Sequence, residues 1–223
     1  MPDAAQKAGS RKSRSWKQDP EAVRADILNV AREEFAEHGL SGARVQEIAA
    51  RTQTSKRMIF YYFGDKESLY QAVLERAYQE VRDGEAALDL GDLPPDQALA
   101  RLVDYTFEHH RAQPEFIRLV MIENIHKGKH LAQSETIEKT NTPAITQLEE
   151  ICARGIASGA FRPDMKALHL HWQISALSFF NVSNMPTFSL IFGDELNTNE
   201  GQKTLKKFVV DSILRLALKS PTN

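Results

Sequence analysis

Lys56, Arg57, Met58, Tyr61 and Tyr62 crowd into a short stretch of the chain. Their side chains offer charged donors, a thioether and two phenols. Those groups suit contact with nucleic-acid base edges and phosphates. Arg57 can fork onto a guanine, a pairing that supplies about 1–3 kcal/mol of discrimination. Met58 offers apolar contact to a thymine methyl, and the tyrosine hydroxyls can donate to phosphates. Interleaved with them, Ile59 and Phe63 stand four apart, on the opposite face of a helix. An inner face that packs and an outer face that is basic and aromatic is what a DNA recognition helix requires.

Those residues need a support, and the preceding residues describe one. Val45 to Arg51 reads as a short helix whose Ile48 and Ala49 form an apolar patch, with Ala49 small enough for close approach. Gln53-Thr54-Ser55 breaks the pattern, and Ser55 is placed to cap the next helix. Two short helices across a tight polar turn make a helix-turn-helix. The partner implied is double-stranded DNA.

Val45, Ile48, Ala49, Ser55, Ile59, Phe60, Tyr62, Phe63, Lys66, Glu67 and Leu69 agree in register with a known pattern. The stretch resembles the DNA-binding head of the tetracycline-repressor (TetR) family. Upstream, Ile27 to Leu40 is similar to that family's first helix and its glycine-terminated exit. The resemblance spans roughly the first third of the chain. It implies that Lys56, Arg57 and Met58 read bases, joined by Gln46 on the first motif helix. It further implies that Tyr61, Tyr62 and Lys66 grip phosphates; Arg44 and Ser55, at the helix starts, complete the expected DNA-binding set. Two departures stand out. Arg44 replaces a capping Thr, which leaves Ser41 or water to cap the first motif helix. Thr52-Gln53-Thr54 replaces Ala-Gly-Val, which puts Gln53 where glycine's left-handed freedom is usual and implies strain.

The chain has 223 residues, of which 42% are hydrophobic and 26% charged, an ordinary globular composition. No apolar run reaches membrane-spanning length, and the N-terminus lacks the apolar core of a secretory signal. A single cysteine, Cys152, excludes an internal disulfide, and a cytoplasmic location is expected. The net charge of −2 is unevenly shared: residues 1–66 carry +3 and residues 67–223 carry −5. A basic head on an acidic body suits docking of one end on a polyanion.

Three regions follow. Residues 1–18 are polar, with Arg11, Lys12, Arg14 and Lys17, and read as a disordered basic arm able to add electrostatic affinity for DNA. Residues 19–66 form the helix-turn-helix domain, entered by a helix from Asp19 to His38 that Gly39 stops. Residues 67–223 form an effector-binding and dimerisation domain. A long helix from Lys66 to about Glu85, capped by Asp65, joins the two. Beyond the Gly91–Pro95 break, helical patterns run over 95–112, 114–127, 142–158, 164–184 and 200–219, with no strand pattern. The fold class is all-α: an N-terminal head joined by a long helix to a C-terminal bundle.

The resemblance implies a homodimer built on a four-helix intersubunit bundle. Its expected surface is Leu170, Ile174 and Leu177, facing Leu205, Phe208, Val209, Ile213 and Leu216. It also implies a pocket for a small-molecule effector. The expected apolar wall is Phe107, Phe116, Met121, Trp172 and Phe179, with Asn124, His130, Asn141 and Ser175 as polar anchors. Glu123, His126 and His130 have spacing compatible with zinc, yet Gly128 interrupts the helix and no further ligand is evident, so neither metal nor cofactor is expected. No phosphate loop, nucleophile elbow or zinc-protease motif points to an enzyme. The leading expectation is a ligand-responsive repressor on a palindromic operator. Competing with it are an activator or global regulator of the same fold, and a ligand-binding α-bundle with a vestigial head; gel-shift behaviour separates the last.

Overall fold

Asp19 accepts hydrogen bonds from the backbone N–H groups of Glu21 and Ala22, and Pro20 supplies a first residue that needs no donor. Helix α1 (Pro20–Gly42) starts there. It bends at Gly39, whose φ of 64° takes it out of helical geometry, so the helix proper ends where the sequence predicts. This computed structural model describes residues 19–52 and 54–219, without the side chains of 138 and 140–143. The expected basic arm (1–18), the strained turn at Gln53 and the Asn141 anchor therefore lie outside the described residues.

The motif helices are α2 (Val45–Arg51) and α3 (Lys56–Phe63), followed by α4 (Lys66–Ala86). The body comprises α5 (Pro95–Ala112), α6 (Pro114–Ile125), α7 (Glu135–Ala157), α8 (Ala167–Ser183), α9 (Met185–Phe192) and α10 (Asn199–Ala217). Sequence periodicity starts α7 seven residues late and overlooks α9. Among the described residues there is no strand, only one antiparallel bridge between Phe161 and Leu218.

Three apolar clusters hold these helices, the smallest joining Ala77 and Val81 of α4 to Phe116 and Ile117 of α6. The first joins Ile27 and Phe35 of α1, Ile48 of α2, Ile59 of α3 and Leu69 and Tyr70 of α4 to Leu119 of α6 and Ile137 of α7. Each such fully buried side chain contributes about 1.5–3 kcal/mol. The apolar packing under the head thus continues past residue 66 into the body. Arg32 of α1 reinforces this, donating to Glu80 of α4 and to Gln113 at the start of α6, each at 2.7 Å. The second cluster fills the bundle, with Leu99, Val103 and Phe107 of α5, Leu148 and Ile151 of α7, and Leu170, Ile174 and Ile213 of α8 and α10. The α4–α5 loop is pinned by Arg154, whose guanidinium donates to the carbonyls of Leu90, Gly91 and Leu93.

Candidate nucleic-acid interface and ligand chamber

On the motif's inner side Ile48, Ile59 and Phe63 are buried against α1 and α4. Ser55 caps α3 as its type predicts, accepting from the Met58 N–H at 3.3 Å. The start of α2 is built differently from the expectation. Neither Arg44 nor Ser41 caps it through a side chain; instead the Arg44 N–H donates to the buried carboxylate of Glu34 at 3.0 Å. Thr52, where the resembling pattern has Ala, uses its hydroxyl to back-bond the carbonyls of Ile48 and Ala49 at the end of α2. This role is visible only once the helix end is placed, because Ser and Thr back-bond locally wherever a free carbonyl lies three or four residues behind.

The outer side of α3 presents Lys56, Arg57, Met58 and Tyr61 to solvent. Tyr61 is 77% exposed. Arg57 has no hydrogen bond or ion pair to another described residue, and Gln46 on α2 and Arg44 just before it are exposed too. Lys56 lies 5.6 Å from the Phe60 ring, which keeps Phe60 in a supporting role. Tyr62 is half-buried; its carbonyl accepts from Arg24, whose guanidinium stacks on Phe63 at 4.6 Å.

Lys66, expected to grip phosphate, has a structural task in the fold. Its ammonium donates to the carbonyls of Ala43 (2.8 Å) and Ser41 (3.3 Å), closing the α1–α2 link against the start of α4. Asp65 caps α4 as predicted, accepting from the Ser68 N–H at 2.7 Å, and that bond holds its carboxyl below the usual range.

A chamber of about 370 Å³ opens between α4, α5, α6 and α8. Phe116, Asn124, Trp172, Ser175 and Phe179, expected around an effector pocket, are among its lining residues. The other expected lining residues are elsewhere. Phe107 is buried in the second cluster, and Met121 projects from α6 outside the chamber. His130 sits in a polar knot around Glu123, whose carboxylate accepts from Tyr70 Oη (3.0 Å), from the His130 ring (2.8 Å) and from the His130 and Leu131 N–H groups. Burial pushes Glu123 up, but these hydrogen bonds outweigh it and hold the carboxyl below its usual value. Glu123 and His130 are thereby paired with each other, His130 through Nδ1.

Sequence reasoning missed the chamber's polar wall of Tyr78, Arg82, Glu85, Thr106, His110 and His171. The α4 members were overlooked because its apolar stripe drew attention to the opposite face. A separate hollow of about 490 Å³ lies at the α8–α9 bend; there Asn181 and Gln202 already bond each other at 2.9 and 3.0 Å.

The expected dimer stripe also needs revision. Leu170, Ile174, Val209 and Ile213 are buried in the protomer's own core, and Leu205 and Leu216 pack partly against it. Apolar periodicity identifies a covered face but not whether the cover is the same chain. Leu177 and Phe208 remain exposed, and so do Leu168, Trp172 and Phe180 of α8 and Leu190, Ile191 and Phe192 of α9.

A helix-turn-helix head set on an all-α bundle defines a class of DNA-binding transcriptional regulators. Residues 27–73 match the profile of bacterial regulatory proteins of the tetR family, and residues 95–213 match the tetracyclin repressor-like C-terminal domain. The chain belongs to the TetR family. It is 32% identical over 206 residues to the HTH-type transcriptional repressor NicS of Pseudomonas putida, covering 92% of this chain and 97% of that protein. It is also 32% identical over 152 residues to the repressor SCO4008 of Streptomyces coelicolor, covering 66% and 74%. The fold is similar to that of the regulator SCO4942 from Streptomyces coelicolor, with a TM-score of 0.66 at 22% identity over 87% of this chain and 98% of that one.

Proposed function

We propose that this chain is a cytoplasmic transcriptional repressor that binds a palindromic operator as a homodimer and releases it when a small molecule fills the chamber. The observation that carries the reading is the outer face of α3. Arg57, Lys56, Met58 and Tyr61 stand exposed on a helix whose opposite face is fully packed. That is a rigid reading head rather than a solvated charge run. The relatives from Pseudomonas putida and Streptomyces coelicolor are repressors, which favours repression over activation.

Helix α4 connects the two ends. Its first half packs Leu69, Tyr70 and Val73 under the head, and its second half gives Tyr78, Arg82 and Glu85 to the chamber. A ligand that prefers one position of α4 shifts the spacing of the two heads, and operator and ligand then weaken each other equally. The test is selection of binding sites from random duplex DNA. Recovery of a two-fold symmetric site supports the reading, and a pool without sequence preference overturns it.

A further inference from the structure

The chamber wall is charge-balanced, which restricts what it can hold. Arg82 is the one cationic side chain among its lining residues, and its Nη1 donates to Glu85 Oε2 at 2.6 Å. Both side chains are nearly buried, at 13% and 8% exposed. The two histidines in the wall are neutral at physiological pH. Burial, then the neighbouring His109, brings His110 down to about 4; burial, then Arg82, lowers His171. Burial also raises the Tyr78 phenol, keeping its proton on. The ionised Glu123 acts on Tyr78 from outside the lining. An anionic ligand would find its only cation already paired and two carboxylates nearby. A cationic ligand would meet Arg82. Either charge would be desolvated without an open counter-ion.

The same wall has two unmet hydrogen-bonding atoms. Arg82 Nε and His110 Nδ1 are both shielded from water and have no partner among the described residues. Arg82 Nε can only donate. His110 Nδ1 is an acceptor in the neutral tautomer whose ring proton sits on Nε2, the form that lets the ring donate toward the Ser178 backbone. Buried polar atoms are almost always satisfied, so an orphan donor and an orphan acceptor on two side chains that line one chamber require an explanation. Phe116, Phe179 and Trp172 supply flat apolar walls around them.

We propose that the chamber takes a small, flat, neutral molecule bearing a hydrogen-bond acceptor for Arg82 and an N–H or O–H donor for His110, the pattern of a lactam or N–H heterocyclic carbonyl. This rests on reading the chamber as the effector site. The test is calorimetry on the full chain with four six-membered-ring probes: 2-pyridone, benzoate, benzylammonium and toluene. The neutral donor–acceptor ring, 2-pyridone, is expected to bind at least about tenfold more tightly than the other three, the scale of one well-made hydrogen bond. Glu85→Gln removes the balancing charge and is expected to raise benzoate affinity about tenfold. The neutral double variant Arg82→Met/Glu85→Gln removes the donor and is expected to weaken 2-pyridone by a similar factor. Ser175→Trp fills the chamber and abolishes binding, with far-ultraviolet circular dichroism reporting that each variant is folded.

Tighter binding of benzoate or benzylammonium that Ser175→Trp abolishes would overturn the ligand class while keeping the chamber a ligand site. If no probe binds, or if 2-pyridone binding survives Ser175→Trp in folded protein, the proposal fails. Chamber-dependent 2-pyridone binding that leaves affinity for the selected DNA site unchanged supports the ligand class and removes the regulatory reading instead.

Discussion

Arg57 projects from α3 with no partner among the described residues, whereas Lys66, nine positions on, closes two carbonyls between α1 and α2. Their variants should therefore fail in different ways. Arg57→Ala is expected to keep stability within about 0.5 kcal/mol and to relax preference at one base position by about 1–3 kcal/mol. Competition gel shifts with single-base variants of the selected site read this; equal losses on selected and random DNA would exclude base reading by Arg57. Lys66→Ala is expected to lower the stability of the folded head by about 1–2 kcal/mol, because it leaves carbonyls without their donor. Urea unfolding measures it, and an unchanged midpoint would return Lys66 to a purely DNA-facing role. His110 sets a pH dependence. Its unfolded pKa is near 6.5 and its folded value about 4, so the folded state binds fewer protons between them. Stability is complete above pH 6.5 and is lost as pH falls toward 4, at no more than about 1.4 kcal/mol per pH unit. Glu85, raised by burial, works in the opposite direction. His110→Gln should flatten the slope of unfolding midpoint against pH in this window; parallel curves for the two proteins would acquit His110.

Helices were legible where an apolar stripe, a cap and a stop signal coincided. Helix α5 shows this, since Pro95 opens it and Pro114 follows its end, and its observed bounds are the ones read from sequence. Helix α4 likewise follows from Asp65 and its stripe. Helix α7 starts earlier than expected because Ser134 caps it, accepting from the Ile137 N–H, ahead of a polar first turn that carries little periodicity. Helix α9 escaped notice because it is apolar nearly all round, with a proline at its start that reads as a break. The reading motif was legible as a whole because its chemistry is local. The chamber was legible only on α6 and α8, since which face of α4 lines it depends on how distant helices pack. Packing of that kind also fixes Gly155 of α7, where an added Cβ would collide with the Phe161 ring. Gly155→Ala, although it improves helix propensity, is expected to destabilise the bundle by about 1–3 kcal/mol through overpacking. Chemical denaturation decides it, and a gain in stability would show that Phe161 moves aside freely.

At the scale of the molecule, α8 is the informative element, because it is apolar on more faces than one protomer covers. Leu170, Ile174 and Ser178 turn into the core, and Ser175 and Phe179 turn to the chamber. Trp172, at the open edge of the chamber, is 67% exposed; Leu168 and Phe180 are left in solvent, with Phe208 of α10 61% exposed. Large apolar side chains gathered in this way mark a protein contact, and a second copy of the chain offers a self-complementary one. A single head reads few base pairs, so pairing two heads also supplies the affinity that an operator needs. The wild-type chain is therefore expected to sediment at twice its 25.2 kDa mass at micromolar concentration. Phe208→Glu places a charge in that face without touching the protomer core. It is expected to yield a folded 25.2 kDa monomer whose affinity for a two-fold symmetric site falls by about 10²- to 10⁴-fold, the loss expected when two linked binding events become one. Sedimentation of the wild type as a monomer would remove the dimer. A Phe208→Glu protein that remains dimeric and binds DNA unchanged would move the interface off α10, leaving the exposed α9 residues Leu190, Ile191 and Phe192 as the next surface to charge.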